Sequence, residues 1–231
     1  MEGIVTSLEF PEVPNSEDDT RDWSYTMRRS MQEILPNVFL GPYSVATKRN
    51  LSNLLELGIT HVVCVRDTLE AKIIKPNFSD HFRYLVLDVA DKTTENIIQH
   101  FPKVKEFMDQ CLQTGGKVLV HGNGGISRSA ALVIAYIMET YGMTYRAAFH
   151  HVQQRRFCIQ PNEGFANQLM EYEPIYMARL TVRPGTCWGQ SNTRLHGGRK
   201  RSLDEEAGEE AMDQTGDPSL DPQNKSHHLG T

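Results

Sequence analysis

Between residues 38 and 180, short apolar runs alternate with longer stretches in which apolar residues recur every three or four positions. Short runs rich in β-branched residues predict buried strands, whereas the wider spacing predicts amphipathic helices. The predicted strands cover residues 38–40, 59–65, 84–89 and 117–120. The predicted helices cover residues 51–57, 97–111, 130–140, 144–155 and 162–180. Strands that alternate with helices imply an α/β domain with a mostly parallel central sheet flanked by helices.

Composition divides the chain of 231 residues into three parts. Residues 1–22 are rich in acids and show little hydrophobic periodicity, which predicts a loose N-terminal arm. Residues 23–182 carry the predicted strands and helices and have the length of one globular domain. Residues 183–231 lose the periodicity, and no aromatic residue follows Trp188 in a stretch rich in Gly, Asp, Glu and Ser. We therefore predict a disordered, charged C-terminal tail.

Composition also excludes several classes of protein. Apolar residues make up 39% of the chain, and the longest apolar run, residues 130–138, is too short to cross a bilayer. The N-terminus lacks the basic opening and apolar stretch of a secretory signal, so we expect the protein to stay inside the cell, in the cytoplasm and the nucleus. A net charge of -5 gives no broad basic face, which argues against nucleic acid as a partner.

The cysteines and the tail add two smaller expectations. Cys64, Cys111, Cys158 and Cys187 form no Cys-x-x-Cys pair, so we expect reduced thiols, no metal site and no cofactor. In the tail, Arg199-Lys200-Arg201 precedes Ser202 and an acidic run. A solvated charged tail accounts for this cluster better than a nuclear-import signal does, because short basic clusters are common in such tails. Ser202, with acids downstream, is a candidate kinase site.

A glycine-rich segment, His121-Gly122-Asn123-Gly124-Gly125-Ile126-Ser127-Arg128-Ser129, joins the predicted strand 117–120 to the following helix. Such a segment directs backbone N–H groups toward one point, where the dipole of the helix adds positive potential. Glycines allow close approach to an anion, and Arg128 can bind two phosphate oxygens at once. The segment is not a Walker loop, since no Gly-Lys-Ser or Gly-Lys-Thr follows. The glycines by themselves indicate a structural turn as often as a phosphate site.

The flanking residues identify the segment. It resembles the protein tyrosine phosphatase signature His-Cys-x-x-Gly-x-Ser-Arg-Ser, with Gly122 at the position of the cysteine. Residues 34–41, 58–63 and 155–169 also resemble conserved stretches of dual-specificity phosphatase domains, so the likeness covers residues 27–180. The chain is thus similar to the dual-specificity phosphatase family, and the fold expected is that of its catalytic domain.

The resemblance implies a role for each residue of the site. Arg128 grips phosphate, Asp91 stands at the general-acid position, and Ser127 matches the hydroxyl that assists loss of the thiolate. From the residues alone, a solvated loop acid is the better interpretation of Asp91, and only the resemblance raises it above Asp88. Without a thiolate, Ser127 and His121 are expected only to hydrogen-bond within the loop. The predicted phosphate-binding residues are Gly122, Asn123, Gly124, Gly125, Ile126, Ser127 and Arg128, supported by His121 and Ser129.

The resemblance also implies a function. Glycine cannot form a phosphoenzyme, so we expect a pseudophosphatase that binds proteins phosphorylated on serine, threonine or tyrosine without dephosphorylating them. Its loop amides and Arg128 are expected to form an uncompensated anion site, and MAP kinases are the partners that the family suggests. Two alternatives remain open. One is an interaction scaffold with a vestigial pocket. The other is an enzyme with a substitute nucleophile, for which Ser127, Ser129 and the cysteines offer no evident general base.

Overall fold

The computed structural model describes residues 10–14 and 22–181, and within them a five-stranded sheet forms the centre of the domain. Its order is β1-β2-β5-β3-β4, and every neighbouring pair is parallel except β1 with β2. The strands are β1 (Gln32–Leu35), β2 (Val38–Pro42), β3 (Ile59–Arg66), β4 (Arg83–Asp88) and β5 (Lys117–Gly122). The predicted α/β fold with a mostly parallel sheet is confirmed.

Strand β1 is the element that the sequence pattern missed. It is four residues long and pairs antiparallel with β2 through a tight turn at Asn37, which has φ 69°. Glu33 stabilises the turn by accepting a hydrogen bond from the Asn37 backbone N–H at 2.7 Å. So short an edge strand carries too little alternation for its period to be recognised.

Five α-helices lie within the described residues and match the five predicted ones to within a few positions. They are α1 (Leu51–Glu56), α2 (Phe101–Gln113), α3 (Arg128–Tyr141), α4 (Tyr145–Arg155) and α5 (Glu163–Thr181). Helix α2 begins four residues later than predicted, because Ile98–His100 form a 3₁₀ turn ahead of it. Helix α3 is buried from Arg128 to Met138, which places it at the centre of the packing.

Each strand sends alternate side chains to opposite faces of the sheet. On β5, Val118 and Val120 join the larger core with α2, α3, α4 and α5, while Leu119 joins a smaller core with α1. Because β2, β3, β4 and β5 are parallel, their carboxyl ends lie at the same edge of the sheet. The segment that follows β5 therefore opens at one edge of the sheet, where parallel α/β folds form their sites.

Residues 10–14, which the sequence analysis assigned to a loose arm, contact the domain. Val13 packs on the larger core, and the ring of Phe10 lies against Gly142, which ends α3 in the left-handed region at φ 63°. The remainder of the predicted arm, except Asp22, lies outside the described residues. The predicted tail also lies outside them, with Cys187, Ser202 and the basic cluster.

Two searches of the described residues concern membranes and metals. No helix among them is long and apolar enough to cross a membrane. No group of three or more His, Cys, Asp or Glu side chains in the same residues is arranged to hold a metal ion. Cys64 in β3 and Cys111 in α2 are buried, and Cys158 is half-buried in the turn after α4, as their segments predicted.

Candidate phosphate-binding site

A cleft of about 680 Å³ opens at the carboxyl end of β5. Its floor is the glycine loop, which we define as residues 123–127 between β5 and α3. Gly122 and residues 128–129 complete the floor, and Asp91, Arg28 and residues 160–163 form the sides. The structure therefore brings every predicted site residue into one cleft except His121, which lies behind it.

All five carbonyl groups of the glycine loop accept hydrogen bonds from donors outside the loop. Their donors are Tyr43 N for Asn123 O (3.0 Å), Arg156 for Gly124 O and Gly125 O (3.0 and 2.8 Å), Gln160 N for Ile126 O (2.8 Å), and Ala131 N for Ser127 O (2.8 Å). A trans peptide places its N–H opposite its C=O, so these bonds turn the intervening N–H groups into the cleft. Within the described residues, the N–H groups of residues 124–127 donate to no other group. The floor is thus a set of free, convergent donors.

This arrangement requires glycine at one position of the loop. Gly125 has φ 65°, and a Cβ built on it would lie 2.4 Å from the carbonyl of Gly41. The left-handed backbone and the approach to the neighbouring strand both exclude a side chain there. The glycine of the motif is therefore needed for the curvature of the loop.

Arg156 holds the loop from behind, and the sequence did not single it out as a site residue. Its side chain is fully buried, and all five of its N–H donors are used. The acceptors are Gly124 O, Gly125 O, Arg28 O (3.1 Å), Ser30 O (2.9 Å) and Gln32 Oε1. All of them are neutral, and burial lowers the pKa of Arg156. A buried cation without a described carboxylate partner adds positive potential behind the loop.

We expect Arg156→Met to lower the free energy of unfolding by about 3–5 kcal/mol, because five buried acceptors would lose their donor. Urea unfolding of the full chain measures this change. Arg146→Met, at an exposed position of α4, is the matched control and should change stability by less than about 0.5 kcal/mol. Equal stability of the two variants would show that Arg156 does not hold the loop.

Arg128 lies at the amino end of α3 and is nearly buried, with 7% of its surface exposed. Its Nη1 donates to Glu70 Oε2 at 2.7 Å and to Val89 O at 3.1 Å, and its Nη2 donates to Glu70 Oε1 at 3.2 Å. These bonds use three of the five donors of the guanidinium group. The remaining Nε–H and Nη2–H share one edge of the plane, the geometry that binds two phosphate oxygens. Asp91 Oδ2, 3.8 Å from Nε, places that edge at the cleft.

Glu70 corrects the expectation of an uncompensated anion site. Besides the paired bonds from Arg128, it accepts hydrogen bonds from Asp67 N at 2.8 Å and Asn123 Nδ2 at 3.1 Å. The bond from Arg128 holds the pKa of the Glu70 carboxyl below its usual range, so Glu70 is ionised and balances the arginine. The only local signal in the sequence is Asp67-x-x-Glu70, which forms a capping box around a 3₁₀ turn.

Asp91 lies at the side of the cleft, held by two side chains. Its Oδ1 accepts hydrogen bonds from Ser127 Oγ at 2.7 Å and from Asn162 Nδ2 at 2.8 Å. Ser127 Oγ also accepts the backbone N–H of Asn162 at 3.2 Å. Ser127 therefore bonds outside the glycine loop, and its hydroxyl has a carboxylate partner that the sequence did not reveal. Asn162, which fixes both groups, was a motif residue without a predicted role.

Gly122 ends β5 and contributes no side chain to the floor of the cleft. A Cβ built on it would lie 3.2 Å from Ser129 Oγ and 3.6 Å from Val65 O, contacts that a small movement of the hydroxyl relieves. Ser129 Oγ is buried and has no hydrogen-bond partner among the described residues. The floor thus has space for a side-chain atom, and an unpaired hydroxyl adjoins that space.

His121 precedes Gly122 in β5 and is fully buried. Its Nδ1 is 3.5 Å from Gly122 O, its Nε2 has no described partner, and its ring packs against Tyr43 with centroids 5.7 Å apart. Burial lowers the pKa of His121 to about 4, so the ring is neutral at pH 7. His121 therefore contacts the loop scaffold through the hydrogen bond between its Nδ1 and Gly122 O, as predicted, and also packs against Tyr43.

This pKa predicts that the protein loses stability in mild acid. An unfolded histidine titrates near pH 6.5, so between pH 6.5 and 4 the unfolded chain binds the additional proton, and stability falls as the pH falls. His121 alone should lower the free energy of unfolding by roughly 2 kcal/mol from pH 7 to pH 5. Urea titrations at both pH values measure the loss. His121→Gln should reduce the difference, whereas the exposed control His150→Gln should keep it; an unchanged difference in His121→Gln would contradict the assignment.

Buried cysteines offer no evident substitute for a missing nucleophile. Burial raises the pKa of Cys64 to about 11 and also raises that of Cys111, so both remain thiols at pH 7. The thiolate, not the thiol, is the reactive form. Ser127, with its carboxylate partner, is the one hydroxyl of the glycine loop that a substitute mechanism could use.

Comparison with known proteins identifies the same family as the resemblance of the loop. The family model for the dual specificity phosphatase, catalytic domain, matches residues 38–175. The serine/threonine/tyrosine-interacting protein of Homo sapiens is 64% identical over 176 residues, covering 76% of this chain and 79% of the relative. Dual specificity protein phosphatase 5 of Homo sapiens is 37% identical over 161 residues, covering 69% of this chain and 40% of the relative.

Solved structures give the same assignment. The crystal structure of human tyrosine phosphatase-like serine/threonine/tyrosine-interacting protein matches with a TM-score of 0.64 and 66% identity, covering 64% of this chain and 99% of that one. Human DUSP28 matches with a TM-score of 0.58 and 29% identity, covering 64% and 95%. The chain therefore belongs to the dual-specificity phosphatase family and, within it, to the group of serine/threonine/tyrosine-interacting proteins.

Proposed function

We propose that this chain is a pseudophosphatase that binds phosphorylated serine, threonine or tyrosine side chains of partner proteins and leaves the phosphate in place. One observation carries the proposal: convergent free N–H groups and the free edge of Arg128 meet above a floor where Gly122 supplies no nucleophile. The donors match the oxygens of a phosphate group, and the missing side chain prevents a covalent intermediate.

The donors are preorganised for an anion. The N–H groups of residues 124–127 are held by bonds to the opposite sides of their peptides, and Arg128 is fixed by Glu70, so neither needs to reorganise when phosphate arrives. Preorganised donors in a partly enclosed cleft bind charge more strongly than flexible donors in water. The dipole of α3, whose first residue is Arg128, adds to the same field.

Failure to cleave follows from the same floor. In this family's reaction a cysteine thiolate attacks phosphorus, and glycine has no atom for that step. Removal of a covalent nucleophile costs on the order of a millionfold in rate in a serine protease, and phosphate monoesters hydrolyse extremely slowly in water. The phosphate ester of a bound partner should therefore stay intact for longer than the partner stays in the cleft.

The names of the relatives support an interacting role, because they read serine/threonine/tyrosine-interacting protein. A protein of this kind regulates signalling by shielding a phosphoresidue from active phosphatases or by anchoring its partner. MAP kinase pathway proteins are the partner class that the phosphatase family suggests.

The proposal is tested by titrating the ¹⁵N-labelled full chain with O-phosphotyrosine and, as the control ligand, with tyrosine. The amide resonances of residues 124–127 should shift and saturate with O-phosphotyrosine and stay in place with tyrosine. Absence of saturable shifts at these amides would contradict the proposal, because these donors are the groups that carry it.

The charge balance of the cleft favours a second candidate function, an interaction scaffold whose pocket is vestigial. Glu70 pairs with Arg128, and Asp91 lies 3.8 Å from its Nε, so part of the field that attracts phosphate is cancelled. A scaffold would bind its partners whether or not they were phosphorylated. It would also keep that binding when Arg128 is replaced.

A further inference from the structure

Two arginines beside the cleft, Arg28 and Arg29, have no assigned role. Both side chains are exposed, and neither forms an ion pair with a described residue. They lie on a 3₁₀ helix, Tyr25–Arg29, that precedes β1. Exposed arginines near a phosphate site have the fork geometry that suits a second anion.

The arginines border a hollow that adjoins the phosphate-binding cleft. We define the arginine hollow as the space of about 170 Å³ lined by Tyr25, Arg28, Arg29, Pro42, Ser44 and Gly124. Arg28 and Gly124 line the cleft as well, so the hollow and the cleft meet at these two residues. A peptide whose phosphate occupies the cleft therefore places a neighbouring side chain within reach of the hollow.

The 3₁₀ helix is fixed to the glycine loop. Arg156 donates to Arg28 O and Ser30 O on the helix side, and to the loop carbonyls on the other side. Ser44 Oγ donates to Arg29 O at 3.4 Å. These bonds hold the backbone of Arg28 and Arg29 beside the glycine loop.

Charge along the cleft is asymmetric. Arg28 lines the cleft where it meets the hollow at Gly124, whereas Asp91 bonds to Ser127 and Asn162, and the exposed Glu163 follows Asn162. A second anion is attracted to the arginine hollow and repelled from the acidic sides. The cleft therefore discriminates between the two directions along a bound peptide.

We propose that the arginine hollow is a second anion subsite, which binds a phosphate or carboxylate side chain close in sequence to the captured phosphoresidue. This inference rests on the proposed function and adds its specificity. Partners carrying two nearby phosphates, or one phosphate beside aspartate or glutamate, are the favoured class. The second anion strengthens binding only when it lies on the side of the phosphoresidue that faces Arg28.

The test measures binding of labelled peptides to the full chain by fluorescence anisotropy. One peptide carries a single phosphotyrosine among neutral residues, and the others add a phosphothreonine or an aspartate within two residues on either side. Additions on one side should tighten binding about three- to tenfold, and additions on the other side should not. The gain should shrink as salt rises, because exposed charges are screened.

The variant Arg29→Gln, at a residue that lines the hollow but not the cleft, should lose most of the gain while binding the singly phosphorylated peptide within about threefold of the unmodified chain. Arg49→Gln, at an exposed position outside the cleft and the hollow, is the matched control and should keep the gain. If the single-phosphate peptide bound and the added anions gave no gain, or if the gain persisted in Arg29→Gln, the subsite would be overturned and the proposed function would stand. Binding of none of the phosphopeptides would overturn both. Equal gains from phosphate and aspartate would assign the subsite to anions in general, and a gain from phosphate alone would assign it to doubly phosphorylated partners.

Discussion

Replacing Gly122 with cysteine should convert the chain into a phosphatase, with a rate of phosphotyrosyl hydrolysis at least about 10⁴ above that of the unmodified protein. The backbone of Gly122 lies outside the left-handed region, and a Cβ there meets only movable or ordinary contacts. The new thiol would face the free loop amides and the amino end of α3, which lower a thiol pKa. The unpaired Ser129 hydroxyl, 3.2 Å from the Cβ position, is a ready donor for the thiolate.

The remaining groups of the reaction are already in place in the cleft. Arg128 offers its free edge to the phosphate, and Asp91 is held by Ser127 and Asn162 where it can protonate a leaving oxygen. Release of phosphate from a phosphotyrosyl peptide is the measurement. Gly122→Ser is the matched control, since it fills the same space with a hydroxyl of high pKa and should stay inactive. Adding Asp91→Asn to Gly122→Cys should lower the rate about 10²- to 10⁴-fold. A folded Gly122→Cys protein no faster than Gly122→Ser would show that the site is not arranged for catalysis.

Replacing Arg128 should remove phosphopeptide binding. Arg128→Lys keeps a positive charge but loses the two-donor edge and the paired bonds to Glu70, so we expect binding to weaken at least about tenfold. Arg128→Ala should weaken it by about a hundredfold or more, because hydrogen bonds to a charged group contribute the largest part of such an interaction. Equilibrium titration with a phosphotyrosyl peptide gives both values.

The Arg128 variants need a control for folding, because Glu70 loses its partner in each of them. Arg128→Ala combined with Glu70→Gln removes the stranded charge and should recover stability without recovering phosphopeptide binding. Arg49→Ala removes an exposed arginine outside the cleft and should leave binding unchanged. If the stable Arg128→Ala/Glu70→Gln protein bound phosphopeptide as the unmodified chain does, the scaffold hypothesis would replace the proposed function.

Local sequence was sufficient for the α-helices, for four of the five strands of the sheet and for the glycine loop. The β-branched run at residues 59–65 and the apolar spacing at residues 130–140 fall close to the observed β3 and α3. The loop lies between adjacent elements, so a strand, a run of glycines and a helix start identify it together. Asp91 was different, because only the family resemblance distinguished it from a solvated acid.

Local sequence could not reveal the residues that hold the site in place, because they come from distant segments of the chain. Glu70 is separated from Arg128 by 58 positions, Asn162 from Asp91 by 71, and Arg156 from Gly125 by 31. Each contact depends on how the sheet brings distant segments together, and no periodicity marks it. The same limit explains why the site was expected to be uncompensated, since the charge that balances Arg128 comes from a 3₁₀ turn after β3.

These supporting residues affect both the rigidity and the charge of the cleft. Arg156 and Glu70 hold the glycine loop and Arg128 rigidly, so the additional glycines do not leave the site without fixed geometry. The cost is charge: Glu70 and Asp91 offset part of the attraction for phosphate. If the proposed function holds, recognition depends on directed hydrogen bonds more than on net charge, and we expect a phosphate group to be favoured over a simple anion.

The central claim, phosphate recognition without hydrolysis, is tested most directly by titrating the unmodified full chain with one peptide in phosphorylated and unphosphorylated forms while released phosphate is measured. We expect saturable binding of the phosphorylated form, at least about tenfold tighter than that of the unphosphorylated form, with the phosphopeptide recovered intact. Equal binding of both forms, or release of phosphate that Ser127→Ala abolishes, would contradict the account.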